Sequence, residues 1–104
     1  MQFLVIMRMR NPADPEAQRR RTEARPEHLE GAAKLSHAGN LHLGGAIFDE
    51  AGNPAGSGVI AEFDTRAELE AWLNNDPYTR AGVWEDFEII PFQIAPHYLE
   101  KLRH

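Results

Sequence analysis

The chain of 104 residues contains no cysteine. That excludes a disulfide framework, thiol catalysis and any cysteine-based metal site. Long apolar runs are missing too. The stretch from Met1 to Met9 is too short to span a bilayer or to act as a signal segment, and Arg8 and Arg10 follow its apolar part instead of preceding it. The expectation is a cytoplasmic protein with no membrane partner. Positive charge is in deficit, with 11 Lys and Arg against 16 Asp and Glu and a net charge of −5. A domain so charged repels nucleic acid and anionic membranes. Arg19, Arg20, Arg21 and Arg25 are a local exception; interleaved with Glu16, Glu23 and Glu27, they read as a solvated helix face. No phosphate-binding glycine loop, nucleophile elbow, repeat or linker occurs.

What is present is ordinary globular material, 42% hydrophobic and 26% charged, in a length suited to one domain. Gln2 to Met9 alternates as a strand, with Phe3, Val5, Met7 and Met9 on one face and Leu4 and Ile6 on the other. Asp14-Pro15 opens a helical stretch that Pro26 is expected to kink or restart, the second piece running from Pro26 to Ala38. Leu41 to Phe48 reads as a strand whose Gly44-Gly45 suggests a bulge or a close approach to the backbone. A turn follows, and then a strand from Gly58 to Phe63. Thr65 and Glu68 form a capping box for a helix from Arg66 to Asn74, whose buried stripe is Leu69, Trp72 and Leu73. Asp76-Pro77 caps a short helical turn ended by Gly82, and Val83 to Ile94 reads as a long last strand. Residues 1–95 thus form the domain, and 96–104 a short amphipathic extension.

The order is the ferredoxin-like βαββαβ: an α+β fold with a four-stranded antiparallel sheet and helices on one face. The first and last strands, expected at the sheet centre, are apolar on both faces. Leaving Leu4, Ile6, Trp84, Ile90 and Phe92 wet would expose a large hydrophobic patch. The simplest cover is the same face of a second copy, a homodimer through the open sheet face. The extension folding back is the other solution, but nine residues are too few to cover four strands.

Arg25-Pro26-Glu27-His28-Leu29, Asp76-Pro77-Tyr78 with Ala81-Gly82-Val83, and Ile90-Pro91-Phe92 resemble, in order, three segments of the YciI-like (YCII-related) family. Gly52 to Ser57 sits where that family has its hairpin, so the likeness runs from about Phe3 to Ile94. Ala46 departs from it, standing where the family commonly has proline. The resemblance implies a dimeric α+β barrel, cytoplasmic location and a His–Asp site in each subunit, here His28 and Asp76. It also implies a link to small-molecule chemistry, since a related member is a dehydrochlorinase of a chlorinated hydroxyquinol.

The residues themselves leave two readings open at each position. His28 is suited to take and return a proton, best with a carboxylate fixing its tautomer, or it simply hydrogen-bonds locally in a first helical turn. Asp76 is that carboxylate or only a helix cap. Arg25 holds a substrate carboxylate or phenolate, or is solvated. Gly45 lets a ligand approach the backbone or belongs to a bulge. Ser57 donates into a site or serves the turn. Tyr78, Trp72 and Trp84 line an aromatic pocket or pack as core, the better place for both tryptophans. The five histidines show neither helical i, i+4 pairing nor a compact cluster, so neither a metal nor another cofactor is expected. An RNA-recognition module shares the element order, but the third strand, Gly58-Val59-Ile60-Ala61-Glu62-Phe63, lacks its stacking aromatics and basic flanks. The expectation is a cofactor-free enzyme of lyase, isomerase or hydrolase type, acting on a small cyclic or aromatic metabolite through His28 and Asp76. The alternative is a non-catalytic dimer module that binds a small ligand or a partner protein.

Overall fold

The computed structural model describes residues 1–102, so the last two residues of the predicted extension, Arg103 and His104, lie outside the described residues. Eight elements follow one another: β1 (Gln2–Arg8), α1 (Pro15–His37), β2 (Leu41–Phe48), β3 (Pro54–Glu62), α2 (Arg66–Asn75), α3 (Pro77–Arg80), β4 (Asp86–Phe92) and α4 (Pro96–Leu102). The strands form one antiparallel sheet in the order β2-β3-β1-β4, the ferredoxin-like arrangement. The central pair is therefore β1 and β3, not the first and last strands as expected. β4 lies at an edge, although it carries apolar residues on both sides.

Alternation in β1 sorts as predicted. Phe3, Val5 and Met7 are buried toward the helices, where Val59, Ala61, Phe63, Leu41, Leu69 and Leu73 complete the core. Leu4 and Ile6 face the other way, beside Ile60 of β3 and Ile90 of β4. Leu43 joins them across from Ile60, Ile47 sits opposite Gly56, and Phe92 opposite Gln2. On this face Leu43, Ile47 and Phe92 are exposed. Register shifts fall at His42, between Leu41 and Leu43, and between Ile47 and Phe48; Gly44 and Gly45 stay in regular register with Val59 and Gly58. Gly56 has a different reason for lacking a side chain: a Cβ there would strike the Met7 backbone carbonyl of the neighbouring strand.

Four further local expectations shift. Helix α1 is continuous through Pro26. The proline lacks an N–H, so the Thr22 carbonyl loses its usual donor, but the helix does not end there. Strand β3 begins at Pro54, because Asp49 closes the hairpin tightly by accepting from the Asn53 backbone N–H at 2.8 Å, with Gly52 at φ 87°. Strand β4 begins only at Asp86. Gly82 at φ 72° turns the chain, and the Val83 N–H donates to the Tyr78 carbonyl. Trp84 accordingly packs on the helix side, against Tyr78 and the core, and is no part of the open face. Asp76 and Thr65 cap α3 and α2 as the sequence indicates. Among the described residues no helix is long and apolar enough to cross a membrane.

Candidate functional site

Helix α1 has 23 residues, yet only Ala17 among them is buried. Its middle stands off the sheet. Between that helix, the β2–β3 half of the sheet and the α2–α3 corner lies a cleft of about 520 Å³. Packed interiors hold few voids larger than a water molecule, whereas ligand clefts span about 300–1,000 Å³. The cleft is thus of ligand size. Met7, Leu41 and Val59 give it an apolar floor, and α1 lines it with Arg21, Arg25, His28 and Leu29.

Two residues 48 positions apart meet at its wall. His28 Nδ1 lies 2.9 Å from Asp76 Oδ1 and 3.1 Å from Oδ2. An ionised carboxylate can only accept, so His28 Nδ1 is the donor of this contact. Asp76 is held from its own side as well, since Oδ2 accepts from the Tyr78 backbone N–H at 3.0 Å. The carboxylate is 9% exposed and the imidazole 20%. Asp76 thus serves as helix cap and histidine partner at once, and the two readings of the sequence are not exclusive.

Tyr78 ties the remaining pieces together. Its ring stacks on the His28 imidazole with centroids 4.0 Å apart and planes at 20°, and the Trp84 indole meets it edge-on at 5.2 Å. Arg25 Nη1 donates to the Tyr78 hydroxyl at 3.2 Å. The Arg21 guanidinium sits over the same ring, 5.9 Å from its centroid. Ser57 and Gly45 also line the cleft, but the Ser57 hydroxyl donates to the Gly45 carbonyl at 3.1 Å, so these two lace the hairpin together as well as bordering the space.

All six residues singled out in the sequence therefore border one cleft. Arg21 was missed, having been read as part of a solvated arginine face. The available signal was its spacing of four residues from Arg25, which puts both on one side of a helix. Trp84, read as open-face and core material, lines the cleft too. Among the described residues no three His, Asp or Glu side chains converge as metal ligands would.

The fold and the cleft define a class: a small ferredoxin-like α+β domain with a histidine–aspartate pair beside an apolar cavity. Residues 1–93 match the YCII-related domain, and the chain belongs to that family. Protein YciI of Escherichia coli O6:H1 is 35% identical over 80 residues, covering 71% of this chain and 82% of its own. An uncharacterized protein of Haemophilus influenzae is 34% identical over 87 residues, covering 76% and 87%. Among solved structures, the 5-chloro-2-hydroxyhydroquinone dehydrochlorinase TftG of Burkholderia phenoliruptrix AC1100, in complex with 2,5-dihydroxybenzoquinone, superposes with a TM-score of 0.79. The match covers 93% of this chain and 98% of that one at 22% identity, a likeness of fold.

Proposed function

We propose that the protein is a cofactor-free enzyme that moves a proton on a small cyclic or aromatic metabolite, with His28 as acid and base and Asp76 orienting it. The observation that carries this reading is the bifurcated contact of His28 Nδ1 with the Asp76 carboxylate at the wall of a ligand-sized cleft. Holding the hydrogen on Nδ1 prepares Nε2 to take a proton from a substrate C–H or O–H, and the resulting imidazolium, stabilised by Asp76, returns it. Elimination, isomerisation and hydrolysis all fit one such shuttle. The dehydrochlorinase with the same fold makes elimination the first reaction to try. Arg25, Gly45, Ser57 and Tyr78 border the substrate in this reading.

The active form is a homodimer paired through the open sheet face. Leu4, Ile6, Ile60 and Ile90, partly exposed at its centre, with exposed Leu43, Ile47 and Phe92 around them, form a contiguous apolar face of the kind that marks an interaction surface.

The test is solvent deuterium incorporation, followed by NMR, into a panel of hydroxylated and chlorinated ring compounds that includes 5-chloro-2-hydroxyhydroquinone. The wild-type protein is expected to exchange or convert at least one member. His28→Asn should slow that by about 10²–10⁴-fold, the range of general acid–base contributions. Binding without exchange would favour the non-catalytic module, and exchange undiminished in His28→Asn would remove His28 from the chemistry.

A further inference from the structure

We infer that the cleft selects an anionic ring compound, its carboxylate or ionised hydroxyl held by Arg21 together with Arg25; the inference rests on the cleft being the substrate site proposed above. Acidic residues outnumber basic ones in this chain, so guanidiniums do not lack partners for want of carboxylates. Arg8, Arg10, Arg19, Arg66 and Arg80 each pair with a glutamate at 2.6–3.1 Å. Arg21 and Arg25, among the described residues, bond to none. Arg20 also lacks a bonded carboxylate, but it lines a shallow groove beside Glu23 and Glu27 on another side of the helix.

The cleft concentrates this imbalance. Asp76 is the one carboxylate lining it among the described residues, and both its oxygens are engaged by His28 and the Tyr78 backbone. Two guanidiniums therefore face one already satisfied anion. Arg25 uses Nη1 on the Tyr78 hydroxyl, and Arg21 rests over the Tyr78 ring. A guanidinium has five N–H donors in a planar fork, so nearly all of this donor capacity remains. The tyrosine fixes where both heads sit without neutralising either. A planar pair of oxygens matches that fork, and the apolar floor opposite suits the ring that carries them.

The experiment is titration calorimetry of the full chain with two matched pairs of probes. One pair is 2,5-dihydroxybenzoate and 2,5-dihydroxybenzamide; the other is 2,4-dinitrophenolate and its neutral methyl ether. The carboxylate and phenolate arms separate the two sources of negative oxygen, and preference for the anion in either pair supports the inference. The anion is expected to bind about tenfold or more tightly than its neutral partner, the ratio that one charge-assisted contact supplies. Arg21→Met and Arg25→Met should each lose about that factor for the anion and leave the neutral probe within about twofold. Arg21→Lys should restore part of the loss, and Arg20→Met should change nothing. Equal binding within both pairs, undiminished anion affinity in Arg21→Met, or no binding by any probe would overturn the inference. His28→Asn separates the two proposals: it should slow proton exchange by about 10²–10⁴-fold while keeping the anion preference.

Discussion

Replacing Asp76 by alanine withdraws the acceptor of the Tyr78 N–H and the partner of His28 Nδ1 in one step. Loss of a helix cap costs about 0.5–2 kcal/mol. A hydrogen bond involving a charged group contributes about 1.5–3 kcal/mol, and the partial exposure of the imidazole lets water recover some of that. The two losses together come to about 2–4 kcal/mol, a large share of the about 5–15 kcal/mol typical of a domain. Asp76→Asn keeps a good cap and an amide oxygen in reach of Nδ1, and removes only the charge. It should cost about 1 kcal/mol. Urea unfolding at a fixed protein concentration, needed because a dimer would link stability to concentration, measures both variants. The imidazole ¹⁵N shifts of His28 at constant pH report the tautomer in parallel. If alanine costs no more than asparagine, or if neither changes the His28 tautomer, the account of the pair is wrong.

Three other outcomes are expected. Leu69→Ala empties a fully buried site in the main core and should cost about 2–5 kcal/mol in urea unfolding, and a loss below about 1 kcal/mol would place that core elsewhere. Phe92→Asp puts a charge on the open sheet face and should yield monomer or aggregate by size exclusion, whereas an intact dimer would count against that interface. The Asn53 backbone N–H is the chief reason that the Asp49 carboxyl is held below the usual range. Its folded value is depressed, so the unfolded chain binds the proton more readily. The stabilisation is present above the ordinary carboxylate range and fades as pH falls through the depressed value. Asp49→Asn should therefore flatten the acid side of the melting-temperature profile, and an unchanged profile would refute the link.

Local signals in the sequence proved dependable where neighbours in the chain decide the outcome. The alternation from Phe3 to Met7, the Thr65 and Asp76 caps and the turn at Gly52 all rest on contacts within a few residues. Where distant parts decide, the sequence said less. A strand with apolar residues on both faces looks central, yet β4 pairs with β1 alone and is an edge. Pro26 looks like a break because its local cost is plain, whereas the contacts of Ala24 and His28 with Tyr78 on either side of it come from far along the chain. The three consecutive arginines illustrate the limit best. Each step along a helix rotates by about 100°, so Arg19 turns to Glu16 and Glu23, Arg20 to a side groove and Arg21 to the cleft. Composition assigns them one role, and only the phase of α1 against the sheet separates them.

The double duty of Asp76 bears on how descendants of this chain would drift. A copy released from any catalytic task would still need something to start α3, so an acidic or amide residue would persist at position 76 for reasons of architecture alone. Position 28 carries no capping duty: its imidazole lies inside α1 and meets the rest of the corner through Asp76 and the Tyr78 ring. In a set of sequences sharing this corner, loss of the histidine would therefore bear on the proposed proton transfer, whereas the aspartate would persist with or without it.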